Sequence, residues 1–495
     1  MKTLIAILFA HFIRKKNQNW INNPIKYQKN TLSKLISKSI KTEFGKDHGF
    51  DKINSYEVFK QNVPVRDYEG LKKYIDKVVN GEKNILWPGK PLYFAKTSGT
   101  TSGAKFIPIT QDSIKTHIRS ARDALLNYFL KSKNYKAISG KHMFLQGSPE
   151  LTKKNGVFIG RLSGISAHYV PKLFLQNRMP SWKTNYIEDW EEKVEKIIQE
   201  TVGEKMTIIA GIPSWVQMYF EKIVQIQKAK INKVFPELSL YVYGGVSYEP
   251  YKTMFERLFG KKIDTLATFP ASEGFFGYQD EFTDKDPELL LLLNNDIFYE
   301  FIKTEDFLNG KEQRVSLESV ELDINYLLII STSAGLWAYN IGDTVKFTSL
   351  NPYRIIVTGR IKQFLSAFGE HVIAEEVEKA LSQTLNNSDV VVKEFTVAPQ
   401  INPKEGLPHH EWYLDFETPP ENIKAFSIEL DRQLRKLNIY YDDLVSGGII
   451  KPLIIKRIKQ DGFKSYMRSV GKLGGQNKVP RLSNDRKIVD QLTLY

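Results

Sequence analysis

The sequence predicts an α/β fold, with a large N-terminal α/β body followed by a smaller C-terminal α+β domain. The chain has 495 residues, which exceeds the roughly 100–200 residues typical of one domain. Hydrophobic residues make up 42% of it and can form a large core. Strand-like and helix-like segments alternate up to about residue 360, as in α/β proteins with largely parallel sheets.

Composition excludes several classes of protein. The chain contains no cysteine, so disulfides, zinc–thiolate sites and cysteine nucleophiles are excluded. This absence is compatible with the reducing cytoplasm, which is the predicted location. The net charge is +14, but basic residues are scattered among acidic ones, so we expect no nucleic-acid partner. No stretch approaches the ~20 apolar residues of a membrane span.

The N-terminal segment LIAILFAHFI (4–13) has two interpretations. An apolar run after one lysine resembles the hydrophobic region of a secretory signal peptide. His11 interrupts this run, however, and Arg14-Lys15-Lys16 follows it without a convincing cleavage site. We therefore favour an amphipathic helix that docks on the body through apolar residues at helical spacing. These residues are Leu4, Ile7, Leu8 and Phe12, or Ile5, Leu8, Phe9 and Phe12.

The body is predicted from strands, turns and helices in sequence order. The apolar spacing in 29–43 predicts a helix, and 63–82 is a loop that leads into another. Residues 91–110 are predicted to form a strand, a polar loop and a strand. Ligands in α/β folds bind beyond the carboxyl ends of strands, so polar turns are candidate sites. The other predicted units are strand–turn–helix at 206–226 and 238–260, a strand and polar turn at 263–279, and strands at 297–302 and 326–331.

The C-terminal domain is predicted from a helix at 371–385, strands at 389–399 and 410–417, and a helix at 421–437. His409-His410 has no plausible ligand partner nearby in the sequence and is interpreted as a solvated loop. The predicted boundaries are 1–358 for the body, 359–363 for a hinge and 364–495 for the C-terminal domain.

The segment from Thr97 to Lys105, TSGTTSGAK, is the strongest chemical motif. Its glycines allow close approach of a ligand to the backbone, and serial N–H and hydroxyl groups suit a polyphosphate. Lys105 adds a positive charge. A Ser/Thr/Gly-rich linker is the alternative, but apolar strand-like flanks disfavour it. The nine residues are Thr97, Ser98, Gly99, Thr100, Thr101, Ser102, Gly103, Ala104 and Lys105.

This motif and seven other segments resemble the acyl-acid amido synthetases, a branch of the acyl-adenylate-forming superfamily. The family includes plant enzymes that conjugate auxin and jasmonate to amino acids, and bacterial members. The resemblance extends over nearly the whole chain. The other segments are TEFGKDHGF (42–50), GIPSW (211–215), YGGVSYEPY (243–251), FPASEGFFG (269–277), YNIGDTVKF (339–347), GRIKQFLSAFGEHV (359–372) and GQNKVPR (475–481).

The resemblance implies ATP and Mg²⁺ as cofactors and assigns the metal to Glu273. A carboxylate beside a polyphosphate loop suits Mg²⁺, which needs only one or two carboxylates. A helix N-cap acid is the alternative interpretation of Glu273. Ala271 and Ser272 would line the nucleotide, and Phe269 replaces the tyrosine common in plant relatives.

Three further residues are assigned to the nucleotide. Asp343, interpreted as following a strand, would accept hydrogen bonds from the ribose hydroxyls, which a carboxylate binds strongly. Its alternative is a turn aspartate. Tyr339 would pack on adenine, and Arg360 resembles the family arginine for ribose or phosphate. Asn340 stands where plant relatives usually have arginine, and Lys362 falls at the hinge of related enzymes.

Lys478 is the predicted catalytic residue. It resembles the lysine that the small domain brings to the site, where a point charge would stabilise charge between carboxylate and α-phosphate. A surface lysine is the alternative. His371 stands where plant members carry lysine and is either a second catalytic residue or a loop histidine. The predicted acyl-substrate residues are Ile212, Val216 and Tyr248.

The resemblance implies that ATP adenylates a small carboxylic acid and that the acyl group is then transferred to an amine, with an amino acid as the expected acceptor. One alternative is an acyl- or aryl-CoA ligase, which uses a thiol acceptor. Another is a non-catalytic basic protein that binds nucleic acid or an anionic surface, with steep salt dependence and no acid-dependent ATP turnover. The acid and the amine are left open. The oligomeric state is also open, with a monomer favoured.

Overall fold

The chain divides into two units, which are described separately. Unit 1 comprises Met1–Ile212, Phe235–Gly245 and Ile263–Ile356, and unit 2 comprises Pro213–Val234, Val246–Lys262 and Val357–Tyr495. The sequence-based boundaries at 358 and 364 stay predictions. The computed structural model describes residues 2–97, 105–169, 172–187, 189–245, 248, 251–283, 287–361, 364–365, 367–368, 370, 372–386, 388–473, 478–483 and 485–495.

Helices and strands alternate along much of the chain. The helices are α1 (Lys2–Asn22), α2 (Pro24–Ser39), α3 (Glu43–Asp47), α4 (Tyr56–Asn62), α5 (Tyr68–Val79), α6 (Gln111–Ser132), α7 (Leu162–Ala167), α8 (Trp182–Asn185), α9 (Trp190–Thr201), α10 (Pro213–Gln227), α11 (Ile231–Val234), α12 (Lys252–Phe259), α13 (Thr304–Leu308), α14 (Ala374–Leu385), α15 (Ile423–Leu437), α16 (Ile439–Ser446) and α17 (Gly462–Ser469).

The strands are β1 (Tyr93–Thr97), β2 (Lys105–Ile109), β3 (Lys141–Phe144), β4 (Thr152–Lys154), β5 (Val157–Gly160), β6 (Arg178–Met179), β7 (Met206–Ala210), β8 (Leu240–Gly244), β9 (Asp264–Ala271), β10 (Gly274–Gln279), β11 (Leu289–Leu291), β12 (Ile297–Lys303), β13 (Arg314–Ser316), β14 (Asn325–Thr332), β15 (Tyr339–Leu350), β16 (Tyr353–Arg360), β17 (Phe364–Leu365), β18 (Val372–Ile373), β19 (Val391–Gln400), β20 (His409–Thr418) and β21 (Ile454–Ile458).

Unit 1 contains a large mixed sheet with strand order β13-β12-β14-β15-β16-β11-β10-β9-β8-β7-β3-β6. Strands β6, β3, β7, β8 and β9 pair in parallel. Strands β9, β10, β11 and β16 pair antiparallel. The expectation of largely parallel sheets was therefore wrong. The two-residue connection from β9 to β10 is too short for a crossover and permits only antiparallel pairing.

A smaller sheet in unit 1 has the order β2-β1-β5-β4. Strands β1 and β2 are antiparallel, and Thr97 lies opposite Lys105. The prediction of a strand, a loop and a strand at 91–110 is therefore confirmed for both strands. The loop itself, 98–104, lies outside the described residues.

Helix α1 forms as predicted, but it packs through a different face. Ala10 and Ile13 are buried against Leu126 of α6, and Asn17 and Trp20 are buried on the same side. Of the predicted docking residues, Leu8, Phe9 and Phe12 are exposed instead. The packing face includes the polar Asn17, whose Oδ1 accepts a hydrogen bond from Trp20 Nε1 at 3.1 Å, so hydrophobicity alone did not identify this face. Within the described residues, no helix is long and apolar enough to cross a membrane.

The long C-terminal segment of unit 2 forms an α+β unit. Strand β20 pairs antiparallel with β19 and parallel with β21. A core joins this sheet to the amphipathic helices α14 and α15, which confirms the predicted order of elements in the segment. The core includes Val377, Leu381, Trp412, Leu414, Leu430 and Leu434.

His409 and His410 do not lie in a solvated loop, so that interpretation was wrong. Both lie in β20 and are buried. His410 Nε2 is 2.8 Å from Glu370 Oε1, and neither side chain has solvent exposure. Burial is expected for a histidine and a carboxylate that satisfy each other by hydrogen bonding. This partner is 40 residues away in sequence, which explains why no neighbour indicated it.

Candidate functional site

The predicted phosphate loop begins and ends on paired strands. Thr97 and Lys105, its two ends, are cross-strand partners. Lys105 Nζ lies 5.4 Å from the centre of the Tyr68 ring, within the range of a cation–π contact. The Tyr68 hydroxyl accepts a hydrogen bond from the Phe106 amide at 3.0 Å. Tyr68 therefore holds the strand that follows the loop.

The segment that ends at Tyr68 also contacts the start of β15. The Arg66 amide donates to the Ala338 carbonyl at 3.1 Å, and the Asn340 amide donates to the Arg66 carbonyl at 2.8 Å. Tyr339 lies between these two contacts and is only 2% exposed. Arg66 and Tyr68 are separated by one residue, so their Cα atoms are at most about 7 Å apart. The segment thus brings the predicted phosphate lysine and the predicted adenine tyrosine into one neighbourhood.

Asp343 lies in a bulge of β15 and not after a strand, which corrects the sequence interpretation. Asn340 pairs with Ile329 and Thr344 pairs with Leu327, so three residues of β15 oppose one residue of β14. Gly342 has φ 84°, which glycine adopts readily. Its amide donates to Asn340 Oδ1 at 2.8 Å. Bulges redirect side chains and are frequent near active sites. Asp343 is 7% exposed.

Ser272 and Glu273 form the turn of the β9–β10 hairpin. Ala271 pairs with Gly274 across this turn, and Ala271, Ser272 and Glu273 are all partly exposed. The N-cap interpretation of Glu273 was therefore wrong, because a strand follows it. A Cβ at Gly274 would lie 2.6 Å from Ile297 Cδ1, so this turn approaches β12 closely.

Strand β12 connects the acidic turn to the phosphate-loop hairpin. Ile297 pairs with Thr332 of β14, and the carbonyl of the next residue, Ser333, accepts from Thr110 Oγ1 at 2.7 Å. Thr110 directly follows β2 and caps α6. These contacts reach the end of β2 that is opposite to the loop, because Thr110 follows Ile109 whereas Lys105 begins the strand. Unit 1 thus connects the Glu273 turn to the base of the hairpin that carries the phosphate loop.

Within the described residues there is no cluster of three or more histidine, aspartate or glutamate side chains that could hold a metal. That excludes a dedicated protein cage of such residues in this part of the chain. It does not exclude Mg²⁺ at Glu273, because Mg²⁺ often binds through one or two carboxylates and substrate phosphates. Glu273, a partly exposed carboxylate in the β9–β10 turn, fits that requirement.

Lys478 belongs to unit 2 and is exposed. The residues that follow it are anchored to β19. The Thr396 hydroxyl donates to the Pro480 carbonyl at 2.7 Å, and the Val397 amide donates to the Arg481 carbonyl at 2.9 Å. Lys478 therefore lies two residues before a segment that is hydrogen-bonded to β19.

Arg481 is the centre of this attachment and is 6% exposed. Its Nε donates to Glu378 Oε1 at 3.1 Å, and its Nη2 donates to the Tyr251 hydroxyl at 2.8 Å. It also forms an ion pair with Glu394. Sequence reasoning assigned no role to Arg481 or Tyr251. Both lie within quoted motifs, GQNKVPR and YGGVSYEPY, which was the available signal.

The other predicted residues of unit 2 are dispersed. Arg360 is the last residue of β16 and is exposed. Tyr248 is 8% exposed and packs edge-on against Phe255 at 5.3 Å between ring centres. Val216, in α10, has no solvent exposure. His371 and the hinge residue Lys362 lie outside the described residues.

One further predicted residue and one cleft belong to unit 1. Ile212 follows β7 and is partly exposed. A cleft of about 220 Å³ lies between α1, α6 and the sheet, and its lining includes Asp123, Asp280 and Arg354. None of the predicted site residues lines it, so we do not assign the substrates to it.

Comparison with known proteins identifies the family. Residues 14–184 match the GH3 family N-terminal domain, 290–360 match the GH3 family central domain, and 375–487 match the GH3 family C-terminal domain. Together these matches cover well over half of the 495 residues.

Curated relatives align over nearly the full length. Jasmonoyl–L-amino acid synthetase JAR4 of Nicotiana attenuata is 22% identical, with 92% of this chain and 90% of the relative covered. The 4-substituted benzoates–glutamate ligase GH3.12 of Arabidopsis thaliana is 23% identical, with 97% and 96% covered.

The fold is that of a solved amido synthetase. The structure of GH3.15 acyl acid amido synthetase superimposes with a TM-score of 0.81, at 17% sequence identity, and covers 98% of this chain and 96% of that one. The chain therefore belongs to the GH3 family of acyl-acid amido synthetases, which are amide-forming ligases.

Proposed function

We propose that this chain adenylates a small carboxylic acid with ATP and transfers the acyl group to an amine, with an amino acid as the acceptor. The observation that carries the proposal is the link from Lys105 through Tyr68 and Arg66 to Tyr339. It supports one nucleotide site in unit 1, with phosphates at the 97–105 loop and the adenosine at β15. Consumption of ATP fits the predicted cytoplasmic location.

In the first step the substrate carboxylate attacks the α-phosphorus of ATP, and pyrophosphate leaves. We assign the phosphates to the 97–105 loop with Lys105, the adenine to Tyr339 with Ala271 and Ser272, and the ribose to Asp343. The protein contributes mainly position and electrostatic stabilisation, as in phosphoryl transfer generally. Arg360 would add charge at the ribose or phosphate.

Lys478 is proposed to stabilise the charge that develops between the carboxylate and the α-phosphate. The ammonium group of lysine is carried on a flexible side chain and can therefore approach the developing charge. The hydrogen bonds between residues 480–483 and β19 restrict the position of the nearby Lys478 backbone. His371 is proposed as a second cationic group, which requires a protonated imidazole.

Glu273 is proposed as the protein ligand of Mg²⁺. When bound, Mg²⁺ would neutralise phosphate charge during the reaction. The residues of this chain would hold the nucleotide around it. The Ser272–Glu273 turn is fixed by the Ala271–Gly274 pair and by the close packing of Gly274 on Ile297.

In the second step the amine attacks the carbonyl of the acyl-adenylate, giving the amide and releasing AMP. Ile212, Val216 and Tyr248 are proposed to line the acyl group. Val216 has no exposure and Tyr248 has little, so access by these two side chains requires neighbouring side chains to shift.

The test is carboxylate-dependent exchange of pyrophosphate into ATP with a panel of aryl, indolyl, fatty and amino acids. We expect exchange with at least one acid and its loss in Lys478→Ala. Lys472→Ala is the matched control, because Lys472 is also exposed and close in sequence. Exchange that persists in Lys478→Ala would remove that lysine from the mechanism, and failure to bind Mg-ATP would contradict the proposal as a whole.

The acceptor is identified in a second assay. With the active acid present, release of AMP should rise when an amino acid is added and should not respond to coenzyme A. A response to coenzyme A alone would make the chain a CoA ligase. Folded protein that binds anions but shows no acid-dependent ATP turnover would support the non-catalytic alternative.

A further inference from the structure

The exposed face of α1 is apolar over two turns and basic over the next. Leu8 and Phe12 are each 63% exposed, and Phe9 is 40% exposed. With 3.6 residues per turn, Leu8, Phe12 and Lys15 share one stripe, and Phe9, Phe12 and Lys16 share the adjoining one. Lys15 and Lys16 are exposed as well. The opposite face of the helix is held on α6.

The charge of this region has one sign. Residues 1–42 contain eight lysines and one arginine and no acidic residue. Lysines of α2 are paired with the body of unit 1, as shown by Lys34 with Asp296 at 2.7 Å and Lys38 with Asp112 at 2.9 Å. Among the described residues, no ion pair involves Lys15 or Lys16. The unpaired charge is therefore next to the exposed apolar residues.

We propose that this face of α1 docks on an anionic lipid surface, with Leu8, Phe9 and Phe12 entering the headgroup region and Lys15 and Lys16 binding lipid phosphates. Helices with an apolar face and a basic border bind membrane interfaces without spanning them. Leu8 and Lys16 lie about 12 Å apart along the helix axis. Because they lie on adjoining stripes of one face, a helix that is parallel to the membrane presents both side chains to the same lipid surface. This surface is independent of the proposed catalytic function.

Two other occupants fit the surface less well. A second copy of the chain would bring two uniformly basic segments together, which is electrostatically unfavourable. Nucleic acid would neutralise the lysines but would leave Leu8 and Phe12 without a role, since sequence-independent binding depends on phosphate contacts. The combination of exposed apolar and basic side chains favours lipid.

The test is flotation of the full chain with two kinds of vesicle. One is phosphatidylcholine alone, and the other contains about one-third phosphatidylglycerol, which makes the surface anionic. We expect binding to the anionic vesicles that weakens as salt rises. Leu8→Ser with Phe12→Ser, and separately Lys15→Glu with Lys16→Glu, should each lower the binding by about tenfold or more.

Matched controls distinguish binding through this face of α1 from non-specific binding to vesicles. Ile428→Ser replaces an apolar residue of α15 that is 71% exposed, and Lys153→Glu with Lys154→Glu reverses two adjacent exposed lysines of β4. Both controls should bind vesicles like the unchanged chain. Thermal melting shows whether each variant is folded.

Three outcomes would overturn the proposal. The first is no binding to anionic vesicles at low salt by folded protein. The second is binding that Leu8→Ser with Phe12→Ser leaves unchanged. The third is that the unchanged chain does not bind vesicles but self-associates, as measured by light scattering, and that this same double variant abolishes the self-association. That result would identify a second copy of the chain as the occupant. Loss of acid-dependent exchange, by contrast, would concern only the proposed enzyme.

Discussion

At the scale of single residues, Arg481 shows how the charge of a buried side chain is compensated by its neighbours. Two carboxylates, Glu378 and Glu394, and the Tyr251 hydroxyl surround its guanidinium. A buried ion pair adds little net stability, because desolvation opposes the attraction of the charges. Removing one partner is different, since the remaining charges are then buried without compensation.

We therefore expect Arg481→Met to destabilise unit 2 by about 3–5 kcal/mol. The measurement is denaturant unfolding of the full chain. The free energy of unfolding of the less stable transition is compared between the unchanged chain and the variant. Arg432→Met is the matched control, because Arg432 is an exposed arginine whose partner Glu429 lies on the same helix. It should leave unfolding unchanged. Equal stability of both variants would show that the Arg481 contacts are not needed.

Asp415 makes a pH-dependent contribution. It lies in β20 with 3% exposure, opposite Glu394 of β19. Burial raises its pKa to about 7, with nearby Lys393 opposing the rise and the carboxylates of Asp461 and Glu394 adding to it. An acid whose pKa is raised on folding stabilises the fold most below its unfolded pKa of about 3.9, and that contribution is lost as pH rises through 7.

Asp415→Asn should consequently gain stability relative to the unchanged chain as the pH rises from about 5 to 8, by about 3 kcal/mol. Melting temperatures of both proteins across this range provide the measurement. The Asn variant keeps the shape of the side chain but cannot ionise, so the difference between the two curves isolates this one group. Curves that stay parallel across the range would contradict the raised pKa.

At the scale of elements, the bulge of β15 determines where Asp343 points. Gly342 has φ 84°, and no atom lies within 4 Å of a Cβ built there. The cost of Gly342→Ala is therefore conformational only, about 1–2 kcal/mol. We expect relaxation of the bulge to move Asp343 and to raise the KM for ATP.

Gly310→Ala is the matched control for this experiment. Gly310 has φ 73° and equally open surroundings, and it lies in the loop that connects α13 and β13. The two substitutions should cost similar stability, but only Gly342→Ala should change the KM for ATP in the exchange assay. If both leave KM unchanged, the bulge does not position a nucleotide ligand.

The elements were predictable where local pattern decided them. The apolar spacing of α14 and the strands on either side of the 98–104 loop followed from the sequence. The docking face of α1 did not, because Ala10 and Ile13 are less apolar as a pair than Leu8 and Phe12, and the buried face also includes the polar Asn17. The bulge at Asp343 depends on the pairing of β15 with β14, and the Glu370–His410 pair joins residues that are 40 apart in sequence. Periodicity reveals neither.

The site residues were predicted in a different way. Glu273, Asp343 and Lys478 came from a resemblance across eight segments, with physical chemistry explaining each assignment, whereas the composition of the 97–105 loop already indicated Lys105. In unit 1 the structure links Lys105 to Tyr339 through Tyr68 and Arg66. Arg66 could not be foreseen, because its role depends on main-chain hydrogen bonds to β15, which any residue type can make.

At the scale of the whole molecule, adenylation and acyl transfer are two steps with different reactants. Enzymes of the adenylate-forming type are expected to change conformation between such steps, and the sequence places the hinge at 359–363. A few residues at a hinge absorb the change in backbone dihedrals. Proline fixes φ near −65° and would restrict that change.

Lys362→Pro is therefore expected to affect the two steps unequally. If the restricted backbone still permits adenylation, pyrophosphate exchange should remain near the unchanged rate while amide formation falls by about tenfold or more, a loss of about 1.4 kcal/mol in transition-state stabilisation. Lys362→Ala is the matched control, because it removes the same side chain without fixing φ, and it should retain both activities. Equal losses of both activities in Lys362→Pro, or a similar loss in Lys362→Ala, would contradict a hinge at this residue. A selective loss in the proline variant alone would locate the conformational step at 359–363 and separate it from the chemistry of Lys478.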